Sequence, residues 1–328
     1  MPITPPKLQK GDEVRILAPS DSMSGFDKQN LELSKKKLES LGFKVSYGKN
    51  VMEINNFGTS PVESRIEDLH QAFADTNVKM ILPVIGGLHS NQLLSNLNWN
   101  LITNNPKILG GYSDTSALQN AIYAKTGLVT YSSIAFVMMA KSRNNQYSFD
   151  SFLKCLASNE PYEIEDSKFW DDSQWWQDQE SYEIFQTSGH VVINHGHGEG
   201  RILGGNLGTF RLLQGTEFFP NQDTDYIYFL EDCSPITAKD FLRELQSLLH
   251  ASNLNNLKAI VFGRFQRGSK IDNQTLAEIV NEFPELNNIP IITGASFGHT
   301  YPIATFPIGG QVKISATSGV CKIEIINH

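Results

Sequence analysis

Short runs of Val, Ile and Leu alternate with amphipathic stretches through the first half of the chain, and several of these runs finish on glycine. A run that is apolar at successive positions must be buried on both faces. A chain that alternates such runs with helices points to a parallel sheet covered by helices. VRILAPSD (14–21), KMILPVIGG (79–87) and KILGGYSD (107–114) read as strands that end in turns. Residues 27–41 and 63–75 predict surface helices, and SALQNAIYAKTG predicts a helix that stops at Gly127. The expectation is an α/β fold whose N-terminal domain, residues 1–160, is a parallel-sheet unit of flavodoxin or Rossmann-like type.

With 328 residues the chain is long for one core, and two domains are expected. Near residue 160 the texture changes to EIEDSKFWDDSQWWQDQESYEIF, which is acidic, aromatic and without clean periodicity. Residues 161–190 are therefore read as a linker with a Trp-rich loop. Residues 191–328 are read as a smaller C-terminal mixed α/β domain with antiparallel character at its end, where QVKISA and VCKIEII close the chain.

Counting 27 Lys and Arg against 35 Asp and Glu gives a net charge of -8, with no basic block. That argues against a nucleic-acid polymer as partner. The first residues, MPITPPKLQKGDEV, lack the apolar stretch of a signal peptide, and no apolar run reaches membrane-spanning length. A cytoplasmic protein without a membrane partner is expected. Cys155, Cys233 and Cys321 are odd in number, widely spaced and outside any CxxC pattern, so they read as thiols rather than as a disulfide framework.

In open α/β sheets the reactive residues collect where strands end. Ser113 lies in the turn between a predicted strand and a predicted helix, with Gly110 and Gly111 before it, in the outline of a nucleophile elbow. Thr115 replaces the second glycine of the GxSxG pattern, and a plain helix cap at Ser113 or Asp114 is the alternative. A serine needs a base and a carboxylate to orient that base. His299 follows the buried run PIITGASFGH, next to Gly298, and Glu231 and Asp232 end the apolar run DYIYFLED. Two carboxylates there are costly unless they are paired or working; one of them, Asp232 more readily than Glu231, could instead cap the helix near Pro235. Gly86 and Gly87 let backbone amides approach a substrate oxygen, and the Gly87 and Asp114 amides are candidates for an oxyanion hole. GGNL at 204–207, with Asn206, reads as a second close-approach turn or as simple helix–strand packing. A rival site of another class is INHGHGEG, where His195, His197 and Glu199 alternate as metal ligands on one strand face would.

Taken in order, GDEVRILAPSD, IGGLHSNQLL, GYSDTSAL, GRILGGNLGTFRLLQGT, YFLED and FGHTYPIATFPIGGQVKI resemble the serine peptidase family of the LD-carboxypeptidases and the microcin C self-immunity proteins. The resemblance covers nearly the whole chain. It implies Ser113 as nucleophile, His299 as general base, Glu231 as the acid that orients it, and the Gly87 and Asp114 amides as oxyanion hole. It also implies a site between two domains, no metal or organic cofactor, and a homodimer. The substrate would be a small peptide-like or peptidyl-nucleotide molecule, with Gly86 and Asn206 among its contacts. Ile85 stands where many cell-wall members carry an arginine, and the stretch with Trp170, Trp175 and Trp176 is similar to an insertion that in immunity proteins reaches over the nucleotide. Aromatic faces there would stack on a base; alternatively they pack a linker or a dimer contact. The microcin-immunity branch is thus expected ahead of murein-recycling LD-carboxypeptidases. A two-domain binding protein without chemistry is the remaining alternative.

Overall fold

The computed structural model describes residues 2–328. In the N-terminal half, β1 (Glu13–Leu17), β2 (Lys44–Tyr47), β3 (Val78–Pro83) and β4 (Ile108–Leu109) form a sheet in the order β2-β1-β3-β4, with every pair parallel. Helices α1 (Lys28–Ser40), α2 (Val62–Ala74), α3 (Trp99–Asn104), α4 (Thr115–Thr126) and α5 (Gln146–Leu156) surround it, and β5 (Thr130–Ser132) follows α4. The ends obey local chemistry. Asp27 caps α1 by accepting from the Gln29 and Asn30 amides, and Gly127, at φ 73°, closes α4 by donating to Tyr123 O.

The C-terminal half is built on an eight-stranded sheet. Its members are β6 (Tyr162–Glu163), β9 (Val191–Asn194), β10 (Gly196–Asn206), β11 (Tyr226–Glu231), β12 (Leu257–Gly263), β13 (Ile291–Ala295), β15 (Gln311–Thr317) and β16 (Val320–Asn327). The order is β6-β16-β15-β10-β11-β12-β13-β9, with β10 to β13 parallel and the outer pairs antiparallel. Between them lie α6 (Leu207–Phe210), α7 (Ala238–His250) and α8 (Asn273–Asn281). Residues 161–190 contribute β6 to this sheet and fold a small ribbon from β7 (Phe169–Trp170) and β8 (Phe185–Gln186).

The two halves share a core. Helix α4 is buried at every position from Thr115 to Ile122, as a helix clasped from several sides must be. Its Ala117, Leu118, Ala121 and Ile122 pack in one cluster with Leu17 and Ile81 of the first sheet and Leu203, Tyr228 and Leu230 of the second. Strand β14 (Phe306–Ile308) pairs antiparallel with β5 and ties the halves a second time.

One local reading changes. The glycines of GGN do not form a turn, because β10 runs through them to Asn206. Their smallness serves the contact with α4: a Cβ on Gly205 would stand 2.5 Å from Ser116 Oγ, and Asn120 exchanges hydrogen bonds with the Gly204 N–H and carbonyl at 3.2 and 2.7 Å. The helix–strand packing alternative is the one observed.

Candidate active site

Three parallel strands of the first sheet deliver loops to one edge. Strand β1 leads to Ser20 and Asp21, β3 to Gly86 and Gly87, and β4 to Ser113, which adopts φ 62°. A non-glycine residue held at positive φ between a strand and a helix is the strained elbow that lifts a hydroxyl clear of the backbone. Gly86 makes room for it, since a Cβ there would meet Ser113 Cβ at 2.9 Å.

From the second sheet, β11 ends on Glu231, and the loop after β13 carries His299. His299 Nε2 lies 2.9 Å from Ser113 Oγ, and Nδ1 lies 2.7 Å from Glu231 Oε2. A carboxylate only accepts, so Nδ1 carries a proton, and in the neutral ring Nε2 is left to accept from the serine hydroxyl. The side chains of Glu231 and His299 are 3% and 14% exposed, which keeps water from competing for these bonds. Gly298, at φ 106°, is required by the same approach, because a Cβ would come within 2.9 Å of Glu231 Oε2. Burial alone would lower the His299 pKa; the charge and hydrogen bond of Glu231, with Asp232 adding, outweigh it and raise the imidazole above its ordinary value.

The Gly87 and Asp114 amides flank this serine, and neither meets an acceptor among the described residues. The Asp114 side chain does something the sequence did not announce. Its Oδ2 accepts from the His89 and Ser90 amides at 3.0 and 2.8 Å, and its carbonyl accepts from Ser90 Oγ at 2.6 Å. The carboxylate thus pins the glycine loop to the residue after the serine and fixes the two amides relative to one another. Buried Arg65 of α2 braces the same loop by donating to His89 O and Pro19 O. Tyr112 also escaped notice; its ring packs 5.1 Å from that of His299. No spacing rule marks these residues.

Asn206 caps α6 by accepting from Thr209 N and donates 3.0 Å to Asp232 Oδ1. Asp232 also accepts from Gly208 N at 3.0 Å, and its carboxyl is pushed up to about 6 by burial and by Glu231. Burial, with Asp232 and Glu231, pushes the Cys233 thiol up to about 12, so it is no competing nucleophile.

The tryptophans separate. Trp175 is 3% exposed and donates 2.8 Å to the Tyr301 hydroxyl, so its faces are core and it cannot stack on a ligand as expected. Trp176 is exposed at the surface and meets Trp175 edge-on. Trp170 lines a cavity of about 420 Å³ with Arg264, Phe265, Arg267, Lys270 and Asn273, at the ends of β12 and β13 beside the first turn of α8. The Arg264 guanidinium lies 5.6 Å from the Trp170 ring, and burial lowers it to about 10. The rival metal site does not assemble: His195 falls between β9 and β10, His197 and Glu199 are exposed on β10, and among the described residues no three His, Cys, Asp or Glu side chains are grouped to hold an ion.

The profile of the LD-carboxypeptidase N-terminal domain matches residues 14–133, and that of its C-terminal domain matches residues 199–314. The chain belongs to the LD-carboxypeptidase family. It is an enzyme of the S66 serine peptidases, with an MccF-like fold. The chain is 46% identical over 98% of its length, and 99% of the relative's, to a Bacillus subtilis protein named "Putative carboxypeptidase YocD". A solved MccF-like protein from Bacillus anthracis is 45% identical, with a TM-score of 0.98 over 99% of this chain and all of that one. The microcin C7 self-immunity protein MccF of Escherichia coli, solved with aspartyl sulfamoyl adenosine, is 27% identical, with a TM-score of 0.89 over all of this chain and 99% of that one. Among the described residues no helix is long and apolar enough to cross a membrane.

Proposed function

We propose that this LD-carboxypeptidase family member cleaves an amide with a Ser113, His299, Glu231 triad and acts on an aminoacyl or peptidyl nucleotide of the microcin C type. The observation that carries the mechanism is the unbroken line from Ser113 Oγ through His299 to Glu231, at 2.9 and 2.7 Å. His299 Nε2 takes the hydroxyl proton as Ser113 Oγ attacks the carbonyl carbon, and the Gly87 and Asp114 amides receive the oxyanion. The imidazolium, held by Glu231, returns the proton to the leaving nitrogen. Water, deprotonated by the same imidazole, then frees the acyl group from Ser113.

The nucleotide reading rests on three supports. MccF was solved with an aspartyl nucleoside. Ile85 packs partly buried at the position where many cell-wall members of the family are expected to carry an arginine. The Trp170 cavity combines an aromatic ring with Arg264, Arg267 and Lys270, a lining that suits a base and its acidic linkage. We further propose a cytoplasmic homodimer, which light scattering of the purified protein tests.

The deciding experiment is mass spectrometry of wild type and Ser113→Ala incubated with aspartyl sulfamoyl adenosine and, separately, with a murein tetrapeptide. Cleavage of the nucleoside by wild type alone is expected. Release of D-alanine from the tetrapeptide alone would make the protein a murein-recycling LD-carboxypeptidase. Equal activity of Ser113→Ala would remove the triad.

A further inference from the structure

Asp21 belongs to none of the roles above, yet it stands beside the proposed reaction centre. A Cβ built on Gly87 would collide with Asp21 Oδ1 and Ser20 Oγ. The Asp21 N–H donates 3.2 Å to Gly86 O, the glycine whose own Cβ position is 2.9 Å from Ser113 Cβ. A single residue of the glycine loop therefore separates the Asp21 carboxylate from the seat of the serine. The side chain is partly exposed, and no hydrogen bond reaches its carboxylate among the described residues. Burial raises its pKa, His89 lowers it and Asp114 raises it again, so the charged form lacks full compensation within the protein. Left alone, this charge opposes the negative oxygen that the Gly87 amide is placed to receive. A cation supplied by the substrate would reverse that sign.

We infer that Asp21 is a specificity-determining residue that pairs with an ammonium group on the carbon next to the scissile carbonyl, so that the acyl half of the substrate is an aminoacyl residue with a free amino group. This rests on Ser113 as nucleophile. The carboxylate that stands against Gly87 is placed to meet an amino group one carbon from a carbonyl whose oxygen sits at the Gly87 amide. Acetylating that nitrogen removes the charge and adds bulk against the carboxylate. A charge-assisted hydrogen bond of this kind corresponds to roughly a ten- to hundredfold preference.

The test compares kcat/KM of wild type, Asp21→Asn and Asp21→Glu on aspartyl sulfamoyl adenosine and on its N-acetyl derivative. Calorimetric binding of both compounds to Ser113→Ala, with and without Asp21→Asn, accompanies it. Wild type is expected to favour the free amine about ten- to hundredfold, Asp21→Asn to erase the preference by losing rate on the free amine alone, and Asp21→Glu to retain part of it. An Asp21→Asn effect that is the same on both compounds overturns the inference, as does failure of Ser113→Ala to bind the free amine more tightly. If wild type cleaves neither compound but Ser113→Ala still binds the free amine in an Asp21-dependent way, the reaction assigned to the site fails while the recognition stands.

Discussion

In the proposed triad His299 acts as a base only while neutral, and its pKa is raised because Glu231 outweighs burial. As pH falls through that raised value the imidazole protonates and activity is lost, so the acid limb of kcat/KM should lie above the 6.5 of an ordinary imidazole. Glu231→Gln removes the charge that raises it. The limb should then move to lower pH while kcat falls roughly 10³- to 10⁴-fold, the scale of losing an orienting carboxylate. A pH–rate profile reads both, and a limb that stays in place would show that Glu231 does not govern His299. Asp114→Ala belongs at this scale too. It strips two amides of their shared acceptor and frees the glycine loop, so kcat should drop about 10²- to 10³-fold with KM moving less. The accompanying stability loss should be about 1–3 kcal/mol by denaturant titration, the cost of leaving buried polar groups unmet.

Helix α4 carries Ser113 at its head and lies against β10 along its side, so errors in that contact reach the serine. Gly205→Ala puts a Cβ 2.5 Å from Ser116 Oγ at a residue with φ 117°. Overpacking and backbone strain together should cost roughly 1–3 kcal/mol, read as a lower thermal midpoint. Activity should fall as well, because α4 must shift away from β10. Gly215→Ala, at positive φ but with nothing within 4 Å of its Cβ, isolates the backbone contribution and should leave activity intact.

Across the molecule, the Trp-rich segment is a clamp. Lys141 and Asp171 form an ion pair at 3.0 Å with both side chains fully buried, and Asp171 exchanges backbone hydrogen bonds with Tyr301, two residues beyond His299. The segment therefore joins the N-terminal half to the histidine loop. Removing one partner of a buried pair strands the other, so Lys141→Met should cost about 3–5 kcal/mol. Limited proteolysis should then cut between 169 and 186 much sooner than in wild type. Unchanged resistance would mean that the ribbon and Trp175 hold the segment without the pair.

What the sequence determined by itself is the set of strand ends. Apolar runs closing on Gly86, on Ser113 and on Glu231 had to be buried, and burial brings their ends to an edge where polar residues are tolerated only in company. That much made the α/β fold legible and singled out Ser113, His299 and Glu231 as candidates, with the order of motifs supplying the family. Tertiary structure decided the rest. That Trp175 lies in the core depended on Tyr301, a residue more than a hundred positions away, whose hydroxyl takes its indole N–H. Whether 204–206 turns or continues as strand depended on α4 packing against it. The Asp114 carboxylate was free, on sequence grounds, to cap its own helix; it reaches instead to two amides of another loop. Such choices rest on contacts between segments remote in sequence, and local pattern carries no signal for them because each partner satisfies the same local rules in either arrangement.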